Sequence, residues 1–408
     1  MSKILAILIF VAALSLSGCV AGTERQAKAP KLEQKTQMRV PARRGPKLYQ
    51  KAEYFEQCLQ EHISEEGLVW YKLGKKNDSY VVSYPSLADA AYITGCLAGV
   101  EALRYKMTGR PDAKEKMQKL VNGLHILQEV TGIKGYLARA FCKKEQAWPE
   151  EWLEGKGKYS EYVWKGNTSK DQYTAVMFGY ALAHEVAKDD PNMQEIENMI
   201  SKDVSNIADF LIQNKFQIVG EKGRTKDGDL SARFLGIIGI GLNALHRLTW
   251  IKIAEHITAE DRFKKAYKEL VSKGHHKVVV EGFYDRPWPF REVDYVNNSM
   301  AFLDFYSILR LEADEAKYYE KALEKRWQAL RNVGCPFWNF VYAAFSENKK
   351  DKIGAIKQAV ENLRKFPLMP RRSFDWRIEE RTDAKVAGTA FLVAYWIARN
   401  HNLISEGK

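Results

Sequence analysis

The stretch Gly166–Val186, GNTSKDQYTAVMFGYALAHEV, decides the fold class of this chain. It opens with Ser169-x-x-Gln172, a capping box in which the serine caps a helix start and the glutamine reaches back to the cap. From Tyr173 to Ala183 the predicted helix is apolar or small on every side and has no polar stripe. Such a helix is buried all around, so the sequence predicts an interior helix enclosed by other helices.

Two kinds of predicted helix alternate along the chain from Leu48 onward. One kind is amphipathic, with apolar residues at helical spacing and charged residues between them. The amphipathic helices are predicted at Leu48–Ile63, Asp112–Val130, Asn192–Lys215, Ala259–Val271, Ala316–Asn332 and Lys350–Leu363. The helices that are apolar nearly all round are predicted at Leu87–Lys106, Asp171–Lys188, Ser231–Ile253, Asp294–Leu311, Phe337–Ser346 and Asp383–Asn400. This alternation predicts an all-α domain built from six helical hairpins.

The connections between these helices are unequal in length. Links from an apolar helix to the next amphipathic one are short, whereas most links in the other direction are long. The long links are Ser64–Ser86, Thr131–Lys170, Phe216–Leu230, Ser272–Val293 and Arg364–Thr382. They share one side of the domain because the two helix classes run antiparallel. Long links are uncommon unless functional, so we expect the functional site there. We call this end the mouth: the first turns of the apolar helices and the links that precede them.

Six hairpins with apolar helices inside and amphipathic helices outside resemble the (α/α)6 toroid of the six-hairpin glycosidase-like superfamily. That group includes glycosidases, uronate hydrolases, polysaccharide lyases and sugar epimerases. The resemblance rests on architecture, not on a residue signature, and covers the chain from Leu48 to Leu403. It implies one toroid domain at residues 48–408, with inner helices apolar and outer helices amphipathic, and a carbohydrate substrate.

The N-terminus has the features of a signal peptide, predicted at residues 1–18. Lys3 supplies the positive start, and the apolar run Ile4–Leu14 is too short to span a bilayer. Leu16-Ser17-Gly18-Cys19 resembles the lipobox of bacterial lipoproteins, which implies cleavage before Cys19 and its lipidation, palmitate included. Val20, in place of Asp after this cysteine, resembles the pattern that sends lipoproteins to the outer membrane. We therefore expect a lipoprotein of the cell envelope, facing the periplasm or the surface.

Residues 19–47 form a predicted basic tether behind the lipidated cysteine. From Ala21 to Lys47 there are eight Lys or Arg against two Glu, which is half of the chain's net charge of +12. The high isoelectric point is therefore largely a property of the tail, which favours an anionic membrane surface over nucleic acid as partner. Of the remaining cysteines, Cys58, Cys96, Cys142 and Cys335, none has metal-site spacing, and buried free thiols are favoured over disulfides. No metal or cofactor is predicted.

Residues at the mouth combine carboxylates, amides, arginines and aromatic rings. They are Tyr84, Asp89, Arg139, Trp164, Asn167, Asp171, Gln172, Tyr173, Asp229, Arg233, Trp288, Asp294, Asn297, Asn298, Trp338, Asn339, Asp375, Trp376, Arg377 and Asp383. This mixture suits a carbohydrate, because acids and amides bond hydroxyl groups and aromatic faces stack on sugar rings. Six positively polarised helix N-termini, together with Arg139, Arg233 and Arg377, favour an acidic sugar such as a uronate.

Hydrolysis of a glycosidic bond needs two carboxyl groups, one protonated and one ionised. Asp171 suits the base or nucleophile, because the positive end of its helix favours the ionised form. The general acid is then Asp89 or Asp375, with the pKa of the latter raised by aromatic neighbours such as Trp376. The residue types do not decide between these two.

Two other functions remain open at the level of sequence. A polysaccharide lyase or sugar epimerase in the same funnel needs a base beside the carboxylate of a uronate and a neutralising amide or arginine. The residues that offer this are His275, His276, Asn297, Asn298 and Tyr284 or Tyr295. The third function is a non-catalytic lipoprotein that binds a glycan or a protein. Hydrolysis is favoured first and elimination second, and a carboxyl pair about 5–10 Å apart across the funnel would distinguish a hydrolase from a binding protein.

Overall fold

Inner and outer helices alternate along the chain, as the sequence predicts. The computed structural model describes residues 46–70, 72–76, 79–82, 87–147, 151–231, 240–282, 293–370, 372, 374, 376 and 384–405. Numbered in chain order, the inner helices are α2 (Ala90–Thr108), α4 (Lys170–Ala187), α6 (Ile240–Thr258), α9 (Tyr295–Leu311), α11 (Pro336–Phe345) and α13 (Thr389–Asn400). The outer helices are α1 (Leu48–Gln60), α3 (Pro111–Glu129), α5 (Gln194–Gln213), α7 (Asp261–Ser272), α10 (Ala316–Leu330) and α12 (Lys349–Lys365). A short helix, α8 (His275–Glu281), follows α7.

The inner helices form a closed ring. In order around it, α2 packs on α4, α4 on α6, α6 on α9, α9 on α11, α11 on α13, and α13 returns to α2. The outer helices pack on the outside, with α3 against α2 and α12 against α11 among the closest pairs. This is an (α/α)6 toroid, so the predicted fold class is confirmed. Helices α4 and α9 also pack on each other directly, which fills part of the ring interior below the mouth.

Burial explains why the inner helices carry so few polar residues. Every residue of α2 from Ala90 to Arg104 is buried, and in α4 the whole run from Gln172 to His184 is buried. The outer helix α5 instead buries one face, through residues such as Ile200, Val204 and Ile207. Tertiary packing of these apolar surfaces supplies most of the stability of such helices.

The long links at the mouth contain short strands, which the sequence did not predict. These are β1 (Lys72–Lys76), β2 (Ser79–Val82), β3 (Ala140–Lys143), β4 (Leu153–Glu154), β5 (Tyr162–Lys165), β6 (Gln217–Gly220), β7 (Gly223–Asp229) and β8 (Ala384–Val386). They form sheets in the orders β2-β1-β8, β3-β5-β4 and β6-β7. Antiparallel pairing of β1 with β8 joins the first long link to the last and so ties the ring closed.

The predicted start of the last inner helix is wrong. The sequence placed it at Asp383, but residues 384–386 form β8, and α13 begins at Thr389. Gly388 separates the two elements with a φ of 64°, a conformation that favours glycine. A Cβ atom there would lie 2.2 Å from Cδ1 of Phe55, so the turn also needs a residue without a side chain.

Helices α2 and α4 approach each other closely through glycines. A Cβ atom on Gly95 would lie 2.3 Å from the carbonyl oxygen of Ala175, and one on Gly179 would lie 2.4 Å from the carbonyl oxygen of Gly95. Only hydrogen fits at both places. The two helices therefore meet backbone to backbone, and their N-terminal ends lie side by side at the mouth.

The four cysteines of the toroid, Cys58, Cys96, Cys142 and Cys335, are buried free thiols, as predicted. Burial raises the pKa of the Cys58 thiol to about 11, so it stays protonated and unreactive at neutral pH. Among the described residues, no helix combines the length and the apolar character that crossing a membrane requires.

Candidate functional site

Asp171 lies at the mouth in the first turn of α4. The helix begins at Lys170 after the predicted capping box, in which the Ser169 N–H donates to Oε1 of Gln172 at 2.9 Å. Because this box already caps the helix, the carboxylate of Asp171 is not needed as a cap. It accepts hydrogen bonds from the Ser169 hydroxyl and from Nε2 of Gln172, the latter at 3.1 Å. The first turn thus orients Asp171, and the positive end of α4 stabilises its negative charge.

Asp89 lies beside it at the start of α2. It is the N-cap residue of that helix, but its side chain makes no capping hydrogen bond. Burial and the negative charge of nearby Asp171 raise the pKa of Asp89, while Arg139 and Arg372 oppose the rise. Water still reaches the carboxyl from the mouth, because 45% of the side chain is exposed. The two carboxyl groups therefore have different environments, of which that of Asp89 favours the protonated form.

Arg139 holds this corner of the mouth together. Its Nε donates to the carbonyl oxygen of Ala88 at 2.6 Å, and its Nη1 donates to that of Asn167 at 3.1 Å. Its Nη2 lies 3.5 Å from Oδ1 of Asp89. The guanidinium thus connects the segment before α2 with the segment before α4 and fixes the position of the acid. Because most of its donors serve the protein, Arg139 has little capacity left for a substrate carboxylate.

Tyr92 also lies at the carboxyl pair, and the sequence analysis missed it. Burial raises the pKa of its phenol well above the usual value, and the charges of Asp171 and Asp89 contribute to the rise, so the ring lies close to both. Its ring also meets that of Phe374 edge to face at 5.1 Å. A tyrosine three positions after a helix cap has no signal of its own in the sequence.

A cavity of about 520 Å³ opens next to this corner. It lies between the sheet β3-β5-β4 and the hairpin β6-β7, and both Arg139 and Asn167 line it. Its other charged lining residues are Glu151, Lys165, Glu221, Lys222 and Arg224. The backbone of Asn167, at φ 52°, turns its Oδ1 toward the backbone N–H of Lys226, which holds the hairpin over the site. Cavities of this size are typical of small-molecule sites.

Several predicted substrate-binding residues lie in the core instead. Trp164 is fully buried and its indole donates to the carbonyl oxygen of Glu154, but it also borders the cavity of about 520 Å³. Tyr173 is fully buried against Trp250, and its hydroxyl accepts from the N–H of Leu137. Three others are also buried: Gln172 as part of the capping box, Trp338 stacked on Phe302, and Asn298 bonded to Arg326. Of these five residues, only Trp164 borders the cavity.

Some of the remaining predicted residues have partners within the protein, and the others lie outside the described part of the chain. Asp294 caps α9 by accepting from the N–H and side-chain amide of Asn297, while Trp376 is buried against Phe366 and Asn339 bonds to Trp327. Asp229 accepts from Ser231 and Arg224. The residues that lie outside the described part of the chain are Cys19, Tyr84, Arg233, Tyr284, Trp288, Asp375, Arg377 and Asp383.

The two histidines considered for elimination chemistry begin helix α8. His276 is buried, and its ring meets that of Tyr318 on the outer helix α10 at 4.4 Å. Burial lowers the pKa of His275 to about 4, and the nearby charge of Arg247 adds to the effect. His276 thus packs toward the outside of the toroid, while His275 is a neutral imidazole near the inner helix α6.

One cluster in the described part of the chain has the composition of a metal site. His125 and Glu129 on α3 lie close to Asp203 on α5, between outer helices and away from the carboxyl pair. The carboxylate of Asp203 already has two partners, Nδ1 of His125 at 2.9 Å and the hydroxyl of Tyr180 at 2.8 Å. Hydrogen bonds therefore account for this cluster.

Comparisons with known proteins add little to this geometry. No known protein family matches the chain, and no curated protein matches it either. Among solved structures, the chain is similar to one titled "Bacteroides ovatus GH9", with 10% sequence identity and a TM-score of 0.46. That similarity covers 88% of this chain and 83% of the other. The fold and the site together define this protein as an (α/α)6 toroid with a carboxyl pair at its mouth.

Proposed function

We propose that the protein is a glycoside hydrolase in which Asp89 is the general acid and Asp171 the base or nucleophile. The observation that carries this proposal is the placement of two carboxyl groups with unlike environments on neighbouring inner helices. Burial and the charge of Asp171 favour a protonated Asp89. A helix N-terminus and two hydrogen-bond donors surround the carboxylate of Asp171 and stabilise negative charge there. A protonated and an ionised carboxyl are what glycoside hydrolysis requires.

The chemistry follows from these two states. Asp89 would donate its proton to the oxygen of the departing sugar as the glycosidic bond breaks. Asp171 would attack the anomeric carbon or remove a proton from the attacking water, depending on the separation of the two groups. The cavity beside Arg139 and Asn167 would hold the sugar on one side of the bond. Of the two candidates for the acid, Asp89 lies in the described part of the chain, and its environment supports the role.

A panel of polysaccharides and oligosaccharides tests this proposal against its two rivals. The full chain is incubated with each glycan. New reducing ends and the ultraviolet absorbance of unsaturated uronates are measured in the same reactions. We expect reducing ends without absorbance. Reducing ends with absorbance would instead indicate a lyase. A glycan that binds without any turnover would indicate a binding protein.

We also propose that the protein is a lipoprotein of the bacterial cell envelope, anchored in the outer membrane through lipidated Cys19. The support is the sequence Leu16-Ser17-Gly18-Cys19 behind a short apolar run, followed by a tether of net charge +6. Cells that express the chain are expected to incorporate labelled palmitate into it, and the Cys19→Ser variant is expected to lose the label. Equal labelling of the two forms would contradict the anchor.

A further inference from the structure

Two cations at the mouth, Lys170 on α4 and Arg247 on α6, have no carboxylate within ion-pair distance among the described residues. Lys170 is half-buried, and Arg247 is 4% exposed. Nζ of Lys170 donates to Oδ1 of Asn243 at 3.3 Å, and Nε of Arg247 donates to the backbone oxygen of the same residue at 3.2 Å. Both side chains therefore converge on Asn243, at the mouth end of α6.

We propose that Lys170 and Arg247 form a binding site for the carboxylate of an acidic sugar, next to the carboxyl pair. This inference rests on the proposed function, which it makes more specific. Buried charges in proteins are normally paired, because removing an ion from water is costly. The guanidinium of Arg247 has one hydrogen bond to a neutral carbonyl and lies 5.9 Å from the ring centroid of Phe216, but among the described residues it has no anion. Its planar edge suits a carboxylate, to which it can donate two parallel hydrogen bonds.

Within the described ranges, no carboxylate forms an ion pair with Lys170 or Arg247. Asp171, Asp227 and Asp294 lie near Lys170, and Asp229 lies near Arg247, but all at longer range than an ion pair. Asp171, Asp294 and Asp229 each have their own donors, as described above, and Asp227 is exposed on β7. Burial lowers the pKa of Arg247 to about 10, and burial also lowers the pKa of Lys170.

His246, on the same helix as Arg247, does not carry a charge either. His246 follows Asn243 by one helical turn on α6, and its Nδ1 lies 2.5 Å from Oδ2 of Asp304. Burial raises the pKa of Asp304 well above its usual value, and His246 is the partner of this carboxyl. Burial lowers the pKa of His246, and the charges of Lys170 and Arg247 act in the same direction, so the imidazole is uncharged. The region therefore keeps a positive charge that a bound anion would neutralise.

This site relocates the acidic-sugar recognition that the sequence assigned to Arg139, Arg233 and Arg377. Arg139 is occupied by Ala88, Asn167 and Asp89, and the other two lie outside the described residues. Lys170 immediately precedes Asp171 in the chain. The charge of Asp171 acts on Lys170, so a carboxylate held by Lys170 would place its sugar near the proposed base and would select the sugar whose linkage is cut.

Calorimetric titration of the full chain with D-glucuronate and with D-glucose tests the site without any need for turnover. We expect glucuronate to bind at least about tenfold more tightly, since one charge-assisted contact is sufficient for that ratio. Lys170→Met and Arg247→Lys should each weaken glucuronate binding by about tenfold and leave glucose binding unchanged. Lys350→Gln, which removes an exposed cation at the opposite end of the toroid, should change neither.

Equal affinity for the two sugars, no binding of glucuronate, or an unchanged preference in both variants would overturn the site. Thermal unfolding of each variant shows whether it is folded. If Arg247→Lys does not fold, Lys170→Met alone tests the site. A glucuronate preference that needs both cations, in a protein that cuts no glycan, would uphold this site while the hydrolase proposal fails. Cleavage confined to neutral glycans would uphold the hydrolase and overturn the site.

Discussion

Asp171→Asn is expected to lower kcat on a glycan substrate by about 10²–10⁴-fold, the range that a positioned acid or base contributes. The amide keeps the shape of the side chain and its contact with the Ser169 hydroxyl, but it can neither attack carbon nor accept a proton from water. Initial rates of reducing-end release at saturating substrate measure the effect. A loss in kcat with little change in KM would show that Asp171 acts in the reaction and not in binding.

The fold should tolerate this substitution, because the cap of α4 does not depend on Asp171. The Ser169 N–H still donates to Gln172, so the thermal unfolding midpoint is expected to stay close to that of the unchanged protein. Asp261→Asn is a matched control, since Asp261 is an exposed first-turn aspartate of the outer helix α7. It should retain full activity. If Asp171→Asn also retained full activity, or if it did not fold, the assignment of Asp171 would be wrong.

Asp89 can be distinguished from Asp171 by the leaving group of the substrate. A general acid is needed when the departing alcohol is a poor leaving group, as in an oligosaccharide, and hardly at all for a nitrophenol. Asp89→Asn should therefore lose far more activity on an oligosaccharide than on a nitrophenyl glycoside, whereas Asp171→Asn should lose activity on both substrates. The same role predicts that oligosaccharide cleavage declines as the pH rises through the raised pKa of Asp89.

The architecture was predictable because it depends on patterns within single helices. An all-round apolar helix such as α4 has to lie inside, and Ser169 with Gln172 marked its first turn correctly. The short strands at the mouth were not predictable in the same way. Strand β1 pairs with β8, more than 300 positions away in the sequence, and neither segment alternates long enough to give a signal.

The composition of the mouth was harder to predict for a related reason. Residue type does not distinguish a core tryptophan such as Trp338 from one that stacks on a ligand, because both present the same large apolar ring. The sequence also gave no indication that Lys170 and Arg247 belong to the site. A cation in a sequence suggests a solvated side chain, and only the tertiary packing around Asn243 shows that Lys170 is half-buried and Arg247 buried, with no ion-pair partner among the described residues.

Gly95→Ala is expected to lower the free energy of unfolding by about 3 kcal/mol or more, the upper range for an overpacked core. The added methyl group would lie 2.3 Å from the carbonyl oxygen of Ala175, where the neighbouring atom is backbone and has no rotamer to change. Helices α2 and α4 can accommodate it only by moving apart, which breaks close contacts along both. Urea unfolding followed by far-ultraviolet circular dichroism measures the loss.

Gly354→Ala is the matched control for this substitution. Gly354 lies exposed in the outer helix α12, and a Cβ atom there meets nothing within 4 Å. Alanine should therefore stabilise that helix by about 0.5–1 kcal/mol. Because Asp89 and Asp171 are held at the ends of α2 and α4, the Gly95→Ala protein that remains folded should also lose kcat, while Gly354→Ala should not. Full activity and full stability in Gly95→Ala would mean that close packing of these helices does not position the carboxyl pair.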